Sequence, residues 1–326
     1  MNLRVGEFRW YAPVDGEGYR WLTRAEVHNV RRDGPFFDTS DLAFESEVRS
    51  DDETLVLASG VATRFRAYRP LADEPALFRV FGELDPTKEA LLSFANRYGP
   101  LVYHRAVNQE GQEEAGTDNS RIAGTILGWE YQQKKMAQLL RLWGLIIEAK
   151  EEPLREIISW KGDYVYARLW GEEKDYPLGQ PPGGAFIPGA LLQPARVFLD
   201  RMVSGSMVIS GKVTIGVEWD CFADEDYLEV MPLSLLGAMY FQFAQAIAEK
   251  KQYRRCVVCN RWIELSPRIN RVDRLTCGNS CRMALYRNRQ EQARKMFKKG
   301  KTVKEIARAL DAEVAAVKNW VKPTKG

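Results

Sequence analysis

Apolar residues recur along the chain with two periods, and the switches between them lay out the elements. Runs rich in aromatic and β-branched residues at 8–12, 54–58, 164–170, 207–209 and 212–219 read as strands. Helical spacing first appears after Asp85-Pro86, where Ala90, Leu91, Phe94 and Ala95 fall on one face. Asp85 suits the cap, Pro86 the first helical position and Gly99 the stop. From Ile122 a longer helix is predicted, with Trp129, Met136, Leu139, Leu140, Trp143, Ile146 and Ile147 on a broad buried face. Pro153 is expected to start a short helix through Ile157 and Ile158. Another helix is predicted over 190–202. Pro232 opens a strong one that buries Leu235, Leu236, Met239, Phe243 and Ile247. Residues 108–120 hold almost nothing to bury and read as a surface loop. Residues 176–189 are rich in Pro and Gly and read as irregular.

The last part of the chain has its own pattern. Ala293, Met296 and Phe297 mark a helix that Gly300 closes. Thr302-Val-Lys-Glu305 is a capping box, which starts a second helix burying Val303, Ile306, Ala307 and Leu310. Asp311-Ala312 makes the turn, because Asp tolerates left-handed backbone better than most residues. A third helix turns Val314, Val317, Trp320 and Val321 inward, and Pro323 stops it. Three short helices with a tight turn between the last two predict a helix-turn-helix.

Charge sharpens this division. Residues 251–326 carry 20 Lys and Arg against 6 Asp and Glu, a balance of +14. The preceding 250 residues carry 27 against 38, a balance of −11. A basic end on an acidic body points to a polyanionic partner, here double-stranded DNA. No charged leader precedes an apolar stretch at the start, and no run is long enough for a membrane span. The expectation is a cytoplasmic protein, nucleoid-associated and without a membrane partner.

Four of the five cysteines form Cys256-x-x-Cys259 and Cys277-x-x-x-Cys281. Two close pairs joined by a medium loop supply the thiolates of one tetrahedral site, and thiols of a reducing compartment read as metal ligands before disulfides. With all four positions filled, the expected cofactor is one structural Zn²⁺ per chain. Arg254, Arg255, Arg261 and Arg282 lie near enough in sequence to offset the surplus negative charge. Trp262 and Ile263 would cover the site.

The pattern Cys-x-x-Cys, Trp262, Arg274, Cys-x-x-x-Cys-Arg and Tyr286-Arg-x-Arg289 resembles the CGNR-type zinc finger of bacterial ABATE-like regulators. The stretch from Leu77 to Gly99 is similar to front domains found with such fingers. One departure is plain: Gly278-Asn279 lies between the cysteines, whereas that family places Gly-Asn-Arg after the last one. The resemblance implies a transcriptional regulator. The tail also resembles the helix-turn-helix ends of resolvases and sigma-like regulators, where Glu-Ile-Ala precedes the turn, as Glu305-Ile306-Ala307 does here.

The architecture expected is therefore α+β. A mixed front domain (1–252) senses a small-molecule or protein effector, a four-cysteine finger of zinc-ribbon or treble-clef-like form spans 253–289, and a helix-turn-helix spans 290–326. Ala315, Ala316, Lys318 and Asn319 would face the DNA groove, since Asn bonds adenine at two points and small alanines permit close approach. Arg282, Arg287, Arg289, Lys298, Lys299, Lys301 and Lys304 would contact phosphates. A single module of this kind binds weakly, so a homodimer is expected. The front part has no legible nucleophile-and-base set. His28 and His104 sit in no motif, Cys221 has no partner cysteine, and no glycine loop suits phosphates. The acidic turn at Asp220, Asp224, Glu225 and Asp226 supports an alternative, a nuclease-like enzyme recruited to DNA by its tail, although a solvated turn is the commoner use of such residues.

Overall fold

The computed structural model describes residues 3–14, 18–23, 26, 56–59, 64–102, 122–179, 186–208, 213–220, 225–265 and 273–322. The fold is mixed α+β and divides into two compact units, Met1–Lys250 and Lys251–Gly326.

In the first unit β1 (Leu3–Val5), β2 (Trp10–Pro13), β3 (Tyr19–Leu22), β4 (Val56–Ser59) and β5 (Phe65–Tyr68) precede three helices. These are α1 (Pro70–Asp73), α2 (Leu77–Gly82) and α3 (Lys88–Tyr98). Next come β6 (Ile122–Thr125), the long α4 (Ile126–Ile147), α5 (Glu151–Leu154), β7 (Ile158–Lys161), β8 (Tyr164–Ala167) and β9 (Tyr176–Leu178). The unit ends with α6 (Leu192–Val208), β10 (Val213–Asp220), β11 (Glu225–Pro232) and α7 (Leu235–Ala248). The sheets are small, in the orders β1-β11-β10, β2-β5, β3-β4-β6 and β7-β8-β9.

The core lies where α2 meets α4 and α7. Phe78 stacks on Phe243 at 5.1 Å, and Trp143 meets the Phe243 ring nearly edge-on at 5.4 Å. Phe81, Phe94 and Trp129 continue the cluster, with centroids 5.0 to 6.3 Å apart. Each such ring pair adds about 0.5–1.5 kcal/mol beyond its buried area. Two buried glutamines splint the short helices. Gln133 donates from Nε2 to the carbonyls of Gly82 (3.2 Å) and Leu84 (2.8 Å), which α2 leaves unpaired at its end. Gln242 accepts from Leu77 N and donates to the carbonyls of Pro70 and Glu74, tying α1 to α2.

Several boundaries differ from the sequence expectation. Thr87, not Asp85, caps α3, accepting from Ala90 N at 3.2 Å. Ile122–Thr125 is a strand, and the helix begins after it, where Thr125 accepts from Gly128 N. Ile147 is exposed. The helix at Pro153 is a single turn that ends at Leu154; Ile157 accepts from Arg168 N and Ile158 opens β7, as β-branched residues favour. Tyr176–Leu178 is an edge strand, a place where Pro177 costs no ladder bond. Met207 and Val208 close α6 instead of forming a strand. Pro232 ends β11, and the helix waits for Ser234, whose hydroxyl caps Gly237 N at 2.9 Å. Asp220, Glu225 and Asp226 belong to the β10–β11 ladder, with Asp220 opposite Glu225. Asp224, Cys221, His28, His104 and the 108–120 loop lie outside the described residues.

The second unit opens with an antiparallel pair, β12 (Tyr253–Arg255) and β13 (Trp262–Glu264). It ends with α8 (Asn279–Lys298), α9 (Val303–Ala309) and α10 (Val314–Val321). One unbroken helix runs through 289–290, where the sequence placed a boundary between finger and tail. The three helices share a core of Ala293, Ile306, Ala307, Val317 and Trp320.

Gly99 gives a sharp test of the first unit. It sits at φ 89°, ψ −178°, a region essentially reserved for glycine, and a Cβ there would lie 2.1 Å from the Tyr11 carbonyl oxygen. Gly99→Ala is expected to lower unfolding free energy by at least about 1–3 kcal/mol, measured by urea denaturation. An unchanged midpoint would contradict the close approach of α3's end to β2.

Candidate metal centre and basic helical surface

The two cysteine pairs converge because each sits on a rigid turn. β12 and β13 bring Cys256 and Cys259 onto the tip of a hairpin, where Cys256 N donates to Arg261 O (2.8 Å) and Asn260 N to Cys256 O (2.9 Å). Asn260 takes a left-handed backbone, φ 59°, which Asn tolerates well. Val257 N donates to Leu275 O at 3.1 Å, stitching the hairpin tip to the segment that carries Cys277. Cys277 precedes α8, and Cys281 lies in its first turn.

All four sulfurs lie within 4.8 Å of one another. Cys259 Sγ and Cys281 Sγ are each 3.5 Å from Cys277 Sγ. A tetrahedral ion with metal–sulfur bonds of about 2.3 Å has sulfur–sulfur edges of about 3.8 Å, so the cage can hold one metal ion. Cys256 is buried with Ile263 and Leu265, against which Cys277 and Cys281 pack. Burial pushes the Cys256 thiol up, but the N–H groups of Cys259, Val258 and Cys277 outweigh it and bring the thiol down to about 6. At Cys277 burial and the crowding sulfurs act together and raise the thiol to about 12. A cation placed among the four sulfurs would displace their protons to solvent, since a metal ligates thiolate and not thiol.

The expected cover is present in part. Ile263 is buried, while Trp262 is half-buried beneath the Arg255 guanidinium at 4.4 Å. Arg255 also donates to Asn260 O at 3.1 Å. Arg274, which spacing alone did not single out as structural, donates to the carbonyls of Thr276 and Cys277 and fixes the approach to the second pair. At the hairpin base Lys251 and Glu264 form an ion pair of 3.4 Å with side chains only 12% and 5% exposed.

The helical part places the basic residues as follows. Arg282, Arg287, Lys298, Lys299, Lys301 and Lys304 are exposed, and Arg289 is half-buried. Gly300 takes φ 84° after α8, and Lys301 N reaches back to Met296 O. The Thr302–Glu305 capping box is formed, with both reciprocal bonds present. Asp311 adopts φ 46° in the turn. On α10, Ala315, Lys318 and Asn319 are exposed, while Ala316 is half-buried against the helical core. Val314 was expected inside; it is 40% exposed and lies on the same outer face as Lys318. Two contacts were not foreseen. Trp320 Nε1 donates to the Tyr286 hydroxyl at 3.0 Å, and Arg294 Nε donates to Trp320 O at 2.9 Å. Tyr286 stands in the finger-like Tyr-Arg-x-Arg pattern and Arg294 beside the core-facing Ala293, but neither position announces the contact it makes.

In the first unit, a shallow cleft of about 470 Å³ is lined by Arg155, Ile158, Trp160 and Leu191 among others. Among the described residues the four cysteines are the one group of three or more potential metal ligands brought together. No described helix is long and apolar enough to cross a membrane.

No family model matches the chain, and comparison with curated proteins and with solved structures gives no match.

The cage makes a stoichiometric prediction. Purified full-length protein is expected to carry about one divalent ion per chain by elemental analysis, and Cys277→Ser to lose it. A metal-free protein whose four thiols react freely with a thiol reagent would contradict the cage.

Proposed function

We propose that the second unit is a zinc-held DNA-binding module and that the protein is a transcriptional regulator. The observation that carries the reading is a single helix, α8, that starts at the sulfur cage and ends in a three-helix bundle with an apolar core and basic exterior. Thiolates in a closed tetrahedral set favour structural Zn²⁺, with no position left for water. A cysteine pair on a hairpin tip and a second pair at a helix start is a treble-clef arrangement. It agrees with the resemblance to CGNR-type fingers and leaves the displaced Gly278-Asn279 as a difference from them.

α9 and α10 are separated by four residues, Leu310 to Glu313, as in a helix-turn-helix. α10 would be the recognition helix. Lys318 and Asn319, with Val314 and Ala315, form its outer face: Asn319 suits adenine and the small apolar groups suit a thymine methyl. Ala316 packs inward and sets how closely the helix approaches. Lys298, Lys299, Lys301 and Lys304 cluster around the α8–α9 corner and supply phosphate contacts, with Arg282, Arg287 and Arg289 along α8. The first unit, with its acidic balance and open cleft, takes the part of an effector or partner domain. Binding as a homodimer follows from the modest reach of one such module.

Selection from a random duplex pool, followed by binding titrations, tests the reading. Lys318→Ala with Asn319→Ala is expected to cost about 1–3 kcal/mol on the selected site for the Asn contact alone, and to leave weak, salt-steep binding to any duplex. Undiminished preference in the double variant would exclude α10 as the reading helix.

A further inference from the structure

The geometry points to Tyr286 as a positioning residue through which the metal site holds α10 in place. The inference rests on the reading of α10 as the DNA-facing helix, and adds that metal occupancy regulates it.

α8 has little of its own to start it. Gly278 provides no side-chain cap, no acidic residue stands in the first turn, and Arg282 puts a positive charge beside the positive end of the helix dipole. Ala293, fifteen positions into the helix, is the one fully buried residue along it. The first three turns carry no fully buried residue: Cys281 packs with the hairpin's Cys256, Ile263 and Leu265 and Tyr286 on Trp320, and apart from those contacts a helix of that length is marginal in water. What fixes them is Cys281, which is tied by the cage to Cys256, Cys259 and Cys277.

Tyr286 stands five residues after Cys281, about 7.5 Å along the helix axis. Its hydroxyl accepts from Trp320 Nε1 at 3.0 Å, and its ring meets the Trp320 ring edge-on at 5.5 Å and 83°. Trp320 is buried on the inner face of α10, one residue after Asn319. Arg294 holds the other side of the same residue by bonding its carbonyl, one of those that the helix end leaves open. Arg294 follows Ala293 and is anchored by the helical core; Tyr286 precedes it and is anchored by the sulfurs. With the cage emptied, the start of α8 frays, Tyr286 leaves Trp320, and α10 keeps only its Arg294 and core contacts. α9 is untouched, because Ile306 and Ala307 pack without Tyr286.

Hydrogen exchange on the full chain, with no DNA in the tube, tests this. Stripping the metal from the wild-type protein with a chelator is expected to speed exchange of amides 282–290 strongly and of 317–321 about threefold to tenfold, leaving 306–310 unchanged. In metal-loaded Tyr286→Phe, which deletes one hydroxyl, amides 317–321 should speed up to a similar extent while 282–290 do not. Stripping the metal from that variant should add little at 317–321, since both changes break one link. Unchanged exchange at 317–321 in either case overturns the inference. So does equal loss of protection at 306–310, which would mean that the metal supports the whole helical core. Failure to bind DNA leaves these results standing, and their failure leaves the DNA reading to its own test.

Discussion

Four sulfurs crowded within 4.8 Å are the constraint on which the second unit depends. Thiols at that spacing repel one another as they ionise, and a soft divalent ion held among them would turn the repulsion into four bonds. Two otherwise unrelated pieces of backbone meet there, a hairpin of three-residue strands and the start of a twenty-residue helix. Neither buries enough apolar surface to persist alone, and small modules of this kind commonly fold on their metal. The buried Lys251–Glu264 pair and the Arg255–Trp262 stack then set the hairpin's orientation more than its stability, since ion pairs out of water gain little net energy.

The first unit holds itself by different means. Its sheets are short, and the stabilising mass is an aromatic cluster between α2, α4 and α7. Short helices leave many end groups unpaired, and Gln133 and Gln242 answer this by reaching from long helices to the ends of short ones. Buried polar side chains that are hydrogen-bonded in this way favour one arrangement of the helices they join.

Periodicity served where an element is stable on local grounds. The capping box, the left-handed Asp311, the stop at Gly300 and the inward Val317 and Trp320 were all legible, because each is a local preference read over four or five residues. Boundaries failed where a cap or ladder competes with proline: Ser234 overrode Pro232, Thr87 overrode Pro86, and the β8 partner drew Pro177 into a strand. The cysteine spacing announced the cage, since two pairs admit few other uses. Arg274 and Tyr286 stood out as part of the finger-like pattern, but their contacts and that of Arg294 were not legible, because they reach across 2 to 34 residues that no periodicity encodes. The displaced Val314 follows the same rule, as helix rotation against its neighbours decides which of two nearby valines goes inward.

Together these features describe an acidic α+β unit and a basic one that gathers four sulfurs into a cage able to hold an ion, and the proposed use of the second is to present α10 to duplex DNA. The most direct test is binding of full-length protein to a mixed duplex pool at low ionic strength, before and after metal removal and again after zinc is restored. The account predicts salt-sensitive binding that weakens sharply on removal and returns with zinc. Equal binding by the stripped protein, or none by the zinc-loaded one, would contradict it.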